Sequence, residues 1–293
     1  MWKIPGKTWS MQGALDDSDL QGIIPRLNTA LFDRIDKEKL SRPSVQFLVT
    51  ASYFEIYNEF IFDLLDAADR KRKSATSKSG LEIKEHPVLG VYVKGLQEHV
   101  VDSAEKLQKT IDQGIRSRTV ASTQMNADSS RSHSVFVITV RQKDVEDETK
   151  NIFAKVNLVD LAGSERVKST GNSGATLKEG ANINKSLSEL GNVMNALVAQ
   201  AKGKKGVFVP YRNSKLTRVL QESLGGNSIT AMLAALSPAS SYYEETMSTL
   251  KYANRAKAIK VRVHALARVR MSEVRMIFYL MEKNRTCRLL IGI

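Results

Sequence analysis

The stretch from Lys155 to Gln200 sets the tightest limit on what this chain can become. Val156-Asn157-Leu158-Val159 is an apolar run of strand character, and it stops at an acid, Asp160, before Leu161-Ala162-Gly163-Ser164-Glu165. A β-rich run that ends on a carboxylate and is soon followed by a glycine is how many nucleotide-binding α/β proteins present an acid to magnesium. After a polar loop from Arg166 to Gly174, Ile183, Leu187, Leu190, Met194, Leu197 and Val198 recur at helical spacing. A metal-facing carboxylate, a backbone N–H able to meet a terminal phosphate and a helix fixed to both would form a lever, so that a change at the phosphate can move the helix.

The chain has 293 residues, 42% of them hydrophobic, enough to bury a sizeable core in one large domain or two small ones. Its net charge of +13 favours an acidic partner: nucleic acid, an anionic membrane or the acidic surface of a microtubule. The single cysteine, Cys287, excludes an intrachain disulfide and a cysteine metal cluster. No apolar run approaches the length of a membrane span, and Met1-Trp2-Lys3-Ile4-Pro5 lacks the apolar core of a signal peptide. A soluble intracellular protein is expected.

Gly6-Lys7-Thr8 matches the end of a phosphate-binding loop, whose full pattern is a glycine, four residues and Gly-Lys-Ser/Thr. Read alone, the tripeptide is as readily a turn leading into a helix. Gly22 to Lys39 predicts a helix, with Pro25 in its first turn. Val45 to Leu65 predicts one long, bent central strand, and its aromatics are expected to pack in the core. Asp69 to Gly80, with Arg70-Lys71-Arg72-Lys73, predicts a solvated insert, and Leu81 to Val101 a small β-meander. Ser103 to Thr119 predicts a helix capped by Ser103, followed by a polar, serine-rich surface loop from Val120 to His133. His133 leads into a strand over Val135–Val140 and is expected to be structural rather than catalytic. A basic loop, Ala201 to Gly206, precedes a helix expected over Tyr211–Leu224, whose Arg212, Lys215 and Arg218 would by themselves be a solvated face. An apolar strand over Ser228–Ser237 and a helix over Glu244–Lys260 follow.

Three of these segments carry a resemblance. Asp160-Leu161-Ala162-Gly163-Ser164-Glu165 resembles the second switch of kinesin motor domains, and Asn126-Ala127-Asp128-Ser129-Ser130-Arg131-Ser132-His133 resembles their first. Tyr211-Arg212-Asn213-Ser214-Lys215-Leu216-Thr217-Arg218 resembles the start of their microtubule-facing helix. Trp9-Ser10-Met11-Gln12-Gly13 also resembles the kinesin sequence after the phosphate loop, so the likeness covers roughly residues 6 to 260.

The resemblance implies an α/β fold of the kinesin P-loop type, a mostly β central sheet between two helical layers, with the N-terminal strands missing. It implies a microtubule-stimulated ATPase that uses ATP and Mg²⁺, moves along microtubules and belongs to the cytoplasmic cytoskeleton. Phrases such as Gly22-Ile23-Ile24-Pro25-Arg26 lean towards the monomer-type transport class. Gly6, Lys7, Thr8, Asn126 and Ser132 would bind nucleotide, with Lys7 facing the β- and γ-phosphates. Thr8, Ser130 and Asp160 would serve the metal, Asp160 through water. Ser129 and Ser130 would offer hydroxyls to phosphate, Mg²⁺ or the attacking water. Gly163 would present its N–H to the γ-phosphate, and Arg131 would pair with Glu165 as a latch closing around ATP. Arg166, Lys168, Lys202, Lys204, Lys205, Arg212, Lys215 and Arg218 would face tubulin. No nucleic-acid-reading motif is present, and the charge is assigned to tubulin instead.

The expected division is a partial motor domain over 1–260 and a basic extension over 261–293, which holds seven Lys/Arg against two Asp/Glu and is expected to be partly helical. Met1 stands where the opening glycine of the phosphate loop would be, and Pro5 has no N–H to donate. Poor ATP hydrolysis by these 293 residues is therefore expected. The competing reading is a microtubule-binding remnant that no longer acts as a motor.

Overall fold

The computed structural model describes residues 6–14, 16–66, 80–87, 90–125, 131–163, 175–259 and 288–292. Its centre is an antiparallel sheet in the order β2-β1-β6-β7, made from β1 (Val45–Tyr57), β2 (Phe60–Asp63), β6 (His133–Asp144) and β7 (Ile152–Asp160). A short β5 (His99–Val101) pairs with the first half of β1, on the side that β2 occupies further along. The two-residue side-chain period of a strand sorts β1 and β6 cleanly. Val49, Ala51 and Tyr53, with Phe136 and Ile138, enter one apolar cluster; Phe54 and Ile56, with Val135 and Val137, enter the other. Helices α1 (Lys7–Gln12), α2 (Ile23–Ser41) and α3 (Ala104–Met125) cover the first face. The second is covered by α4 (Ala175–Ala201), the short α5 (Lys215–Val219) and α6 (Gln221–Gly225), and the end of α7 (Tyr243–Ala256). The expected sheet between two helical layers is present.

Several boundaries depart from expectation. Val45–Leu65 is not one bent strand but a hairpin. Asn58 and Glu59 both adopt left-handed backbone, at φ 51° and 63°, which is the two-residue turn that matches strand twist. Glu59 tolerates this because its carboxylate accepts the Lys215 N–H at 2.9 Å, at the start of α5. The meander over Leu81–Val101 is a separate hairpin, β3 (Glu82–His86) with β4 (Gly90–Lys94), while β5 joins the main sheet. The polar stretch after Thr119 continues α3 to Met125 rather than forming a loop. Neither Gly nor Pro interrupts it, and earlier on the helix Ser117 and Thr119 donate their hydroxyls to the carbonyls of Gln113 and Ile115 instead of competing for another fold.

The helix expected over Tyr211–Leu224 is broken into a 3-10 turn (Tyr211–Asn213), α5 and α6. Ser214 has extended backbone, and its hydroxyl accepts the Thr217 N–H, so a new helix starts there. Residues 261–287 of the extension lie outside the described residues. The described residues of the extension form a strand, β9 (Arg288–Gly292), which pairs antiparallel with β8 (Ala231–Ala235).

Two glycines position the site. A Cβ on Gly22 would lie 2.5 Å from the Gln12 backbone, so only glycine lets α2 start so close to the end of α1. A Cβ on Gly114 would lie 2.1 Å from the Tyr53 ring, so glycine lets α3 sit down on β1.

Candidate functional site

The site grows from one row of the sheet. Register places Glu55 of β1 opposite Ser134 of β6, and Ser134 opposite Asp160 of β7. All lie on the face shared with Tyr53, Phe136 and Leu158, beneath α3. Polar groups in such a row need partners, because burying an isolated carboxylate is very costly. Arg118 of α3 supplies them. Its Nη1 donates to Ser134 Oγ at 3.1 Å and to Asp160 Oδ2 at 3.3 Å, and its Nε lies 3.7 Å from Glu55 Oε1. Its Nη2 donates to the Ser132 carbonyl at 3.0 Å and to the Ser132 hydroxyl at 3.3 Å. One guanidinium thus joins two buried carboxylates and the start of β6.

Asp160 has a second neighbour. The Thr8 hydroxyl, in the first turn of α1, donates to Asp160 Oδ2 at 2.8 Å across 152 residues of sequence. The other oxygen, Oδ1, is buried and has no hydrogen-bond partner among the described residues. An aliphatic hydroxyl beside a carboxylate with an unfilled oxygen is the hard-oxygen donor set that magnesium takes, usually one or two protein ligands completed by water and phosphate. The residues present therefore fit Mg²⁺. Gly6 is the N-cap residue of α1, in extended backbone, and space for a Cβ there is open. Lys7 is exposed and close enough to His133 to act on it electrostatically.

His133 locks the turn after Asp160. The Ala162 N–H donates to its Nδ1 at 3.0 Å, which leaves the proton on Nε2, 2.8 Å from Ser186 Oγ on α4. The backbone just before Gly163 is thus tied to β6 and to the long helix by one imidazole, in the structural role expected for it. Burial pushes its pKa from 6.5 down to about 4, helped by the Arg118 guanidinium and by Lys7. Between those values the unfolded chain holds more protons than the folded one. Stability is therefore complete above about pH 6.5 and drains as pH falls towards 4, by roughly 3 kcal/mol in all. Urea unfolding at pH 7 and pH 5 checks this: His133→Gln should lose much of the acid sensitivity of the unsubstituted chain, and equal pH slopes would count against it.

The remaining site residues divide between described and undescribed segments. Arg131 and Ser132 stand at the entry to β6, and Gly163 follows the His133 contact. Asn126, Ser129, Ser130, Glu165, Arg166 and Lys168 lie outside the described residues, so the Arg131–Glu165 latch does too. Lys202, Lys204 and Lys205 are exposed in the loop after α4, and Arg212 is exposed on the 3-10 turn. Lys215 is half-buried, and Arg218 keeps only 15% of its side chain exposed. Arg118 and Glu55 were not singled out from sequence. Their signal was available: a cation on the helical face of Leu107 and Ile111, and an acid on the strand face of Ala51 and Tyr53.

Comparison with known proteins identifies the family. The family model for the kinesin motor domain matches residues 4–259. Kinesin-like protein KIF13A from Homo sapiens is 50% identical over 258 residues, covering 87% of this chain and 14% of that protein. Kinesin-like protein unc-104 from Caenorhabditis elegans is 49% identical over 262 residues, covering 87% of this chain and 16% of that protein. The chain thus spans about one seventh of the length of these relatives. Among solved structures, a fast kinesin aligns at TM-score 0.77 and 44% identity over 92% of this chain and 72% of its own. A KIF14 dimer in complex with AMP-PNP and a microtubule aligns at 0.75 and 43% over 92% and 74%. On sequence and on fold alike, this chain belongs to the kinesin motor domain family.

Proposed function

We propose that this chain is the ATP- and microtubule-binding part of a kinesin motor, coupling MgATP hydrolysis to movement along microtubules, with residues 1–260 as the motor domain and 261–293 as a basic extension. The observation that carries the reading is the Thr8–Asp160 contact, with Oδ1 of Asp160 left open. It joins the Gly-Lys-Thr segment to the acid at the end of β7, two features that are separately weak. Thr8 and Asp160 would hold Mg²⁺, with Ser130 as a further oxygen donor. The metal, when bound, offsets phosphate charge. Lys7 adds a cation at the same end of α1, and Gly163 offers an N–H whose position is fixed through Ala162 and His133. Ser186 of α4 shares that imidazole, so a shift of the turn has a direct mechanical route into the long helix. Arg131 and Glu165 would close over the nucleotide, and Ser129 and Asn126 would line it.

Arg166, Lys168, Lys202, Lys204, Lys205, Arg212, Lys215 and Arg218 form the proposed tubulin-facing set. Exposed charge contacts weaken as salt screens them. Co-sedimentation with polymerised tubulin tests the surface: replacing Arg212, Lys215 and Arg218 together by Ala should lower affinity by roughly tenfold or more, at up to about 1 kcal/mol per exposed pair. Unchanged pelleting would remove these residues from the surface. Phosphate release with and without microtubules tests the motor reading, on the 293-residue chain and on a chain extended through a complete phosphate loop. Turnover that microtubules do not raise in either would refute it.

A further inference from the structure

The β3–β4 hairpin lies against α5, and its register decides which charges meet there. Ile83 packs against the apolar cluster that α5 closes with Leu216. Glu85, two residues on, points the same way but sits at the rim. There it accepts a charge-assisted hydrogen bond from Arg218 Nη2, and Arg212 Nη2 lies 3.6 Å from the same oxygen. One carboxylate therefore serves two arginines. Arg218 is also held by Gln221 Oε1. Arg212 keeps 78% of its side chain exposed, and Glu85 keeps 48%. The Glu85 carboxyl is held below the usual carboxylate range, chiefly by its hydrogen bond to Arg218 and then by that charge and Arg212. The other acid of β3, Glu82, bonds its own neighbour Lys84 at 2.9 Å and leaves these arginines alone.

Resting on the tubulin-facing reading above, we propose that Glu85 sets the affinity of that surface by competing with tubulin for Arg218 and Arg212. An acidic partner docking on α5 has to draw both guanidinium groups away from a carboxylate already in place. Neutralising that carboxylate removes the competitor. Because both side chains are partly solvated, the effect is that of an exposed pair rather than a buried one.

The test is co-sedimentation of the 293-residue chain with polymerised tubulin at several salt concentrations. Glu85→Gln should bind about two- to fivefold tighter at low salt, with a steeper loss of affinity as salt rises. The same substitution in a chain carrying Arg212→Ala and Arg218→Ala should gain little, because no arginine remains to be released. Equal gains in both backgrounds would show a simple change of net charge and overturn the proposal. So would unchanged or weaker binding of Glu85→Gln in a chain whose melting temperature is preserved. Failure of the unsubstituted chain to pellet at any salt would refute the tubulin-facing reading itself and this proposal with it, whereas pelleting that Glu85→Gln leaves untouched refutes this proposal alone.

Discussion

Replacing Arg118 by Met is expected to lower the unfolding free energy by about 3–5 kcal/mol, the range for breaking a buried ion pair from one side. Methionine preserves much of the volume and the apolar stem, so packing loss is small and the missing term is charge. Without the guanidinium, Glu55 and Asp160 remain in the same buried row with Ser134 between them. The Ser132 carbonyl and hydroxyl lose their donors as well, and the start of β6 loses its tie to α3. Urea unfolding measures the cost. A loss under about 1 kcal/mol would mean that water or Thr8 replaces the guanidinium without penalty. Pairing the substitution with Glu55→Gln gives a second check. If the two carboxylates depend on one cation, Glu55→Gln should recover part of the loss, so that the two effects fall short of their sum. Strict additivity would place Glu55 outside the network.

Gly163→Ala is expected to lower microtubule-stimulated turnover by about a hundredfold or more, the usual cost of losing one positioned donor to developing charge. Steady-state phosphate release with saturating microtubules is the measurement. On the proposed role of Gly163, the added methyl would stand in the approach that a phosphate oxygen needs. The turn cannot back away, since the Ala162 N–H is held by His133, itself held by Ser186. Binding of labelled ATP should survive, because Lys7 and Thr8 are untouched. Turnover near that of the unsubstituted protein would remove Gly163 from phosphate sensing.

Much of this molecule is readable from residue order because the physics involved is local. The alternation in β1 and β6 separates Tyr53 and Phe136 from Phe54 and Val135 before any fold is known, since successive strand side chains point to opposite faces. Asp160 at the end of an apolar run follows from chemistry within a few residues. So does the family likeness, carried by contiguous segments whose residue types the chemistry itself requires. The cap at Ser214, which breaks the helix expected over Tyr211–Leu224, was not read from the sequence. At the end of β1, where expectation also failed, the deciding partner was distant. A hairpin turn through Glu59 becomes acceptable because the Lys215 N–H donates to its carboxylate.

The same holds for function. Sequence determined that Gly-Lys-Thr, two switch-like segments and a basic helix occur in one chain. Only the tertiary structure decided that Thr8 meets Asp160, that Arg118 joins Asp160 to Glu55, and that Glu85 occupies two of the arginines expected to face tubulin. Helical and strand periodicity are fixed by geometry within each segment. Charge pairing across the fold depends on register and on the docking of one layer against another, and burial then sets how much each pairing is worth.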